Sequence, residues 1–387
     1  MNQGKYVFAQ VTEFLPQRVF DTIVAKYHGN SYVKHFTCWN QMLSMVFGQL
    51  SNRQSLSDLV LCMDAHKRKS YHLGFGPNVS KNNLAKANEK RDFKIFAEYA
   101  YHLIGLARKH AMPEDVELTV EGNVYAFDAT VIDLCLNVFW WAKFRKTKGA
   151  VKLHTLFDVK TSIPCFIHIT EAAVHEVNAM DVLRYEAGSF YVFDRGYIDF
   201  ERLYTLHKTD AYFVVRAKNN FNFKRQRSFK CDKAIGVQCD QTVLLAGFYV
   251  SKDYPEKLRR IKYYDEEIDV QFVFLTNNFK LHAHEIALLY KYRWKIELFF
   301  KWIKQHLKIL TFWGISENAV KIQIYCAIIT YVLVAMVKAR IKSPFSNYEI
   351  LQILSMSLLD KTPVKELINK PDLQNFKEPL HNQLNIF

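Results

Sequence analysis

Apolar residues in the first part of the chain recur every three or four positions. In Cys38–Leu50 (CWNQMLSMVFGQL), Met42, Val46 and Leu50, joined by Leu43 and Phe47, fall on helical spacing. The stretch SLSDLVLCM opens on Ser55, a residue type that accepts hydrogen bonds from the first free amides of a helix. RDFKIFAEYAYHLIGLARKH is a long amphipathic run that ends in cations, which suits a helix C-terminus. Between them a Gly/Pro/Asn turn precedes a basic, polar helix expected to start near Ser80. That is the outline of a turn and a DNA-contacting helix, although a solvated surface helix has the same pattern. Residues 1–112 therefore read as an all-helical N-terminal domain with a DNA-binding role.

Beyond Ala111-Met-Pro-Glu-Asp the pattern changes to short, β-branched apolar runs: GNVYAFDAT, VKLHTLFDV, IPCFIHITE, SFYVFDRGY and AYFVVRAK. Continuous runs of this kind suit strands covered on both faces. Helical patterns, HEVNAMDVLRYEA and IDFERLYTLHK, separate some of them, so the fold class is α/β. From about 220 to 280 the chain is β-rich and irregular, an insertion into the α/β core. One long helix is expected from near His282 to about Leu310, and the rest, from Ser316, is mostly helical. The division is 1–112, 113–345 with the insertion, and a helical tail over 346–387. The apolar stretch Ile324–Val337 has fourteen residues, too few to cross about 30 Å of hydrocarbon, so it reads as a buried core helix.

Composition narrows the setting. Half the residues are hydrophobic, which excludes a disordered chain. Seven cysteines, without a C-x-x-C pair, do not make a secreted disulfide framework, and Cys231 and Cys239 lie too far apart for a zinc knuckle. The first residues lack the basic and apolar regions of a secretion signal, so a cytoplasmic location without membrane contact is expected. A net charge of +14 points to a polyanionic partner. The cations cluster with aromatics, five between Trp140 and Lys152 and six between Tyr290 and Ile309. Such mixtures resemble a groove for phosphates and stacked bases.

Two apolar strands end in an acid, Phe127-Asp128 and Phe193-Asp194. A carboxylate there either caps a turn or binds a ligand at a strand end. On the helix YKYRWKIELFFKWIKQHLK, steps of about 100° bring Tyr290, Arg293, Glu297 and Lys304 onto one narrow arc. Ile296, Phe299, Phe300, Ile303 and Leu307 occupy the adjoining one. Glu297 and Lys304 are two turns apart, too far for the usual helix salt bridge, so a row with one acid among cations suits a metal ion beside phosphates. Three carboxylates without His or Cys select hard cations, Mg²⁺ or Mn²⁺, and can hold two of them for phosphodiester chemistry. Lys152 and His154 either reach that site or pack within a strand. Asp133, Asp158 and Asp199 could be mistaken for catalytic acids, and Asp199 is expected to cap the helix from Phe200.

The row Tyr290, Arg293, Glu297, Lys304 reproduces the Y-(2)-R-(3)-E-(6)-K signature of bacterial insertion-sequence transposases, specifically the insertion sequence four family. Asp128-Ala-Thr and Asp194-Arg-Gly-Tyr resemble that family's first and second catalytic motifs. The resemblance implies an RNase H-like core interrupted by a β-rich insertion, with Asp128, Asp194 and Glu297 holding two metal ions. It implies that water nicks the transposon end and that the freed 3′-hydroxyl forms and reopens a hairpin before joining target DNA. Arg293 and Lys304 would contact phosphates, Tyr290 the terminal nucleotide, and a homodimer would pair the two ends at the nucleoid. In one branch of the family a Trp of the insertion supports a flipped base. Here Trp39, Trp140, Trp141, Trp294, Trp302 and Trp313 all lie outside it, so Trp294 is the candidate for stacking or else a packing residue. An RNase H-fold nuclease without strand transfer would need the acids but not the whole row. A non-catalytic transposase-derived DNA-binding protein would be expected to have lost one.

Overall fold

The computed structural model describes residues 4–77, 79–111, 117–135, 138–145, 148–217 and 222–369, with the backbone alone at 143–145 and 148. The expected boundary at 112–116, the centre of the first cationic cluster (146–147), the start of the insertion (218–221) and the tail from 370 lie outside the described residues.

The chain begins with six helices, α1 (Val7–Thr12), α2 (Gln17–Lys26), α3 (Cys38–Leu50), α4 (Leu56–Ala65), α5 (Lys81–Lys90) and α6 (Lys94–His110). Hydroxyl caps start three of them: Thr37, Ser55 and Ser80 accept from the backbone amides of Asn40, Asp58 and Asn83. Each cap satisfies an amide that the helix itself leaves unpaired. Gly48 on α3 permits close packing, since a Cβ there would meet the Trp313 ring at 2.5 Å.

Ten strands among the described residues form one mixed sheet. They are β1 (Val124–Leu134), β2 (Lys143–Arg145), β3 (Lys148–Asp158), β4 (Ile163–Glu171), β5 (Phe190–Phe193), β6 (Tyr212–Arg216), β7 (Phe223–Ser228), β8 (Val237–Leu245), β9 (Leu258–Asp265) and β10 (Val270–Thr276). The order is β2-β3-β1-β5-β6-β10-β9-β8-β7, with β4 also on β3. β1 runs antiparallel to β3 and parallel to β5, and β5 runs parallel to β6. Helices α7 (Phe200–His207) and α8 (Val250–Asp253) fall within this region. After it come α9 (Ala283–Lys291), α10 (Trp294–His306), α11 (Glu317–Ile341), α12 (Asn347–Ser357) and α13 (Val364–Leu367).

Alternation along the strands splits the core in two. Val124, Ala126, Val192 and Val214 face a large cluster shared with α10, α11 and the N-terminal helices. Tyr125, Phe127, Tyr191, Phe193 and Phe213 face a smaller one containing Leu203 and Leu206 of α7. The stretch Ile324–Val337 sits within α11, whose most apolar eighteen-residue window is 83% buried.

Two expectations change, on the helix over 175–187 and on the long helix from His282. The helix expected over 175–187 is a short 3₁₀ segment, Glu176–Val182, in which only Ala179 and Met180 are buried, too little apolar surface to hold a full helix. The β-rich stretch, for its part, joins the same sheet: β10 pairs with β6, and β7–β9 prolong it. The long helix from His282 is two, because hydrogen bonds tighten to i→i−3 at Arg293, Lys295 and Ile296. Such a turn adds roughly 20° per residue over an α-helix and rotates α10 relative to α9.

A buried ion pair ties the prolonged sheet to the loop before α9. Arg259 donates to both carboxylate oxygens of Asp240 (2.9 and 2.8 Å) and to the Leu281 carbonyl (2.6 Å). Asp240→Ala leaves that guanidinium buried and unpaired, and should cost about 3–5 kcal/mol in urea unfolding. A loss under about 1 kcal/mol would show the pair to be dispensable.

Candidate active site

Two aspartates come together because two strands are parallel. Phe127 of β1 pairs with Phe193 of β5, so the next residues, Asp128 and Asp194, leave the pair at one level. Both continue the face of Ala126 and Val192, toward α9 and α10. Their positions differ, however. Asp194 follows the last residue of β5 and precedes the 3₁₀ turn Arg195–Tyr197, as expected of a strand end. Asp128 lies inside β1, which continues to Leu134 through its pairing with β3.

The break between α9 and α10 lies over this pair. Tyr290, in the last turn of α9, is 8% exposed, with its ring against Phe274 (4.8 Å between centroids). Its hydroxyl donates to Asp194 Oδ1 at 3.1 Å. Arg293 Nη1 donates to Asp128 Oδ2 at 3.0 Å, and Nη2 donates to Glu297 Oε1. The guanidinium thus bridges two of the three acids, and the Tyr290 ring lies 5.5 Å from it. Tyr290 and Arg293 of the helical row thus reach the two aspartates, and Glu297 is joined to Asp128 through Arg293.

Burial pushes the Asp128 carboxyl up to about 6, against the pull of Arg293 and of the Ala129 amide that donates to Oδ1. Glu297 and Glu176 push it further the same way. Burial also drives Tyr290 up to about 12, keeping its hydroxyl a donor. For Arg293, burial works against the charge, but Tyr290, Asp128 and Glu297 outweigh it and raise its pKa.

The remaining positions divide. Lys304 Nζ donates to the Val131 carbonyl of β1 at 2.9 Å rather than to a carboxylate, and burial lowers its pKa. Trp294, the first residue of α10, is 59% exposed, which excludes a core packing role for it. Lys152 and His154 are turned to the sheet face opposite Asp128, since they pair in register with Val131 and Ala129. Lys152 donates to the Val174 carbonyl and pairs with Glu176 at 3.4 Å. His154 bonds Thr170, and burial drops its pKa to about 4, so it is neutral at pH 7. Asp199 caps α7 through the Arg202 amide, and Asp158 accepts from the amides of Lys160 and Thr161.

Two polar groups beside the acids escaped the sequence reading. Thr155 stands opposite Asp128 in the β1–β3 register, and Tyr197 closes the Asp194-Arg-Gly-Tyr motif with its ring 5.3 Å from Phe127. Among the described residues their buried hydroxyls, like Arg293 Nε, have no hydrogen-bond partner. Tyr197 was legible inside its motif; Thr155 needs the strand register.

A family described as the transposase DDE domain matches residues 120–333, which hold all three acids and the whole row. The chain belongs to the DDE transposases, in the insertion sequence four family. A second family, described only as a domain of unknown function, matches residues 3–76. A Sinorhizobium fredii protein named as transposase y4zB is 36% identical over 65% of this chain and 69% of its own length. Relatives named as transposases for the elements IS5377, of Geobacillus stearothermophilus, and IS4SA, of Synechocystis, are 30% and 25% identical. Those alignments cover 53% and 67% of this chain, and 54% and 72% of the relatives.

DDE transposases act on DNA as polynucleotidyl transferases and use divalent metal ions. The donor set fits such an ion, being carboxylate oxygens flanked by unpartnered buried hydroxyls. Among the described residues no three His, Cys, Asp or Glu side chains stand close enough to hold a metal as they lie. Arg293 spans the gap between Asp128 and Glu297 and supplies the positive charge there.

Proposed function

We propose that this transposase binds the ends of its insertion sequence, cleaves them by phosphodiester hydrolysis and transfers the 3′ ends into target DNA. The reading rests on one observation above others: Asp128 and Asp194 lie level on neighbouring parallel strands, under a helix turn that carries Tyr290, Arg293 and Glu297. Asp128, Asp194 and Glu297 are the catalytic acids and would hold two Mg²⁺ or Mn²⁺ ions. Bound there, the metals supply an activated water or 3′-hydroxyl and charge for the leaving oxygen. Arg293, once turned from the carboxylates, offers a planar fork to a phosphate. Lys304 adds a second phosphate contact, and Tyr290 orients the terminal nucleotide while it holds Asp194.

The strands β4-β3-β1-β5-β6 form the RNase H-like core in this reading, and β7–β9 belong to its insertion. Residues 1–112 form the N-terminal DNA-binding domain, 113–345 the catalytic domain and 346–387 the tail. A homodimer pairs the two ends, in the cytoplasm at the nucleoid. Trp294, exposed beside Arg293, stacks on a base extruded during the hairpin step.

The test is a duplex carrying the terminal repeat found in the DNA flanking the gene, incubated with Mg²⁺ and a target plasmid. Joined products support transposition, whereas nicked ends without joining would reduce the protein to a nuclease. In the same assay Trp294→Ala should leave the first nick within about threefold and slow hairpin formation by tenfold or more, in line with about 1–3 kcal/mol for a stacked base. Equal slowing of both steps would remove Trp294 from the hairpin.

A further inference from the structure

The far end of the sheet carries positive charge that the cleavage chemistry does not use. β7 is the terminal strand, and Lys224, Arg225 and Arg227 are all exposed on it. Beside it, Lys233, Arg260 and Lys262 line a groove over β8 and β9 together with Tyr264. Register joins the two features: Gln241 of β8 lies opposite both Ser228 of β7 and Arg260 of β9. Arg260 reaches back over the Phe223 ring of β7 at 5.0 Å and donates to Gln241 at 3.2 Å. Among the described residues none of these six cations forms an ion pair. The nearby acids are engaged, Asp240 with Arg259 and Asp232 with the Ala234 amide.

Charged side chains on an edge strand keep it from pairing with another chain. Six unpaired cations over an edge and its adjoining face repel one another and call for an anionic partner. An edge strand also offers free backbone amides, which suit phosphate oxygens. We propose that β7 and the β8–β9 groove form a second DNA-contact surface that grips the phosphate backbone of the duplex being cut. This inference rests on the DNA-cleaving reading above.

Strand count argues for that duplex. β7 is six strand spacings from β1, so at about 4.8 Å each it lies roughly 30 Å from Asp128. The repeat of B-DNA is about 34–36 Å, so a straight duplex held at the acids returns its backbone near β7 about one turn inward. The contact reads no base sequence. It adds affinity and fixes the angle at which the end approaches.

The experiment compares the full chain with a triple variant, Lys224→Gln, Arg225→Gln and Arg227→Gln, whose exposed positions should leave the melting temperature unchanged. Binding is followed by fluorescence anisotropy on a terminal-repeat duplex of about 40 bp, on the same end cut to about 7 bp and closed by a hairpin loop, which spans only roughly 24 Å and stops short of β7, and on a random duplex of about 40 bp. The variant should lose at least tenfold in affinity for the long end, and its slope of log K against log salt should fall by about 2–3. Binding to the short end and the cleavage rate at saturating DNA should stay within about twofold. Unchanged long-end affinity would overturn the proposal, and so would variants that merely aggregate, since the cations then only protect the edge. A loss confined to the random duplex would assign the surface to target DNA and overturn it as well. If the wild-type chain bound none of the duplexes, the DNA-cleaving reading would fail instead.

Discussion

Asp128→Asn, Asp194→Asn and Glu297→Gln should each lower end cleavage by at least about a thousandfold, roughly 4 kcal/mol at the barrier, while DNA affinity changes less than about threefold. The amides keep the shape of each side chain and remove the charge that a divalent cation requires, so the loss is chemical rather than structural. Geometry sets different side effects. Asp194→Asn still accepts from the Tyr290 hydroxyl, so the α9 end stays in place. Asp128→Asn and Glu297→Gln each leave Arg293 with one carboxylate, a condition the other can satisfy. Melting temperatures measured beside cleavage rates separate the two kinds of loss. Cleavage within tenfold of wild type in any of the three would strike that acid from the site.

The apolar pattern of the strands was readable because burial on both sheet faces leaves continuous runs, and the β4 run (Ile163–Glu171) was bounded to the residue. Ser55 and Ser80 show why helix starts were legible too, since caps depend on local chemistry. What sequence spacing misses is set by pairing between distant strands. Asp128 was read as a strand end, but β1 keeps its partner β3 after β5 has ended. The helical wheel grouped Tyr290, Arg293 and Glu297 correctly, for a reason only partly right. The helix breaks at Arg293, whose buried guanidinium meets the carboxylates of both Asp128 and Glu297. Lys304, far beyond that break, ends on a β1 carbonyl instead. Nor does any local pattern show that the stretch around 220–280 joins the sheet of Asp128, because β10 meets β6 across more than fifty residues.

Asp128 should also make the stability of the metal-free protein fall as pH rises. Its carboxyl is raised from an ordinary 3.8 to about 6, so between those values the folded chain holds a proton that the unfolded chain has released. Stability from this group is therefore fully present below about pH 4 and lost as pH climbs through 6, by about 3 kcal/mol in all. Above pH 6 the site carries an ionised carboxylate that Arg293 only partly compensates, a cost that a bound divalent cation would relieve. Urea unfolding without metal should show Asp128→Asn gaining about 3 kcal/mol on the wild type between pH 4 and pH 8. Magnesium should raise the wild-type melting temperature at pH 8 and scarcely at pH 4.5, because the protonated acid cannot bind it. A wild-type and variant difference that stays flat with pH would show that Asp128 is not held out of water. Destabilisation kept in the resting site and removed by an ion would make the same carboxylate costly to fold around and effective in binding metal.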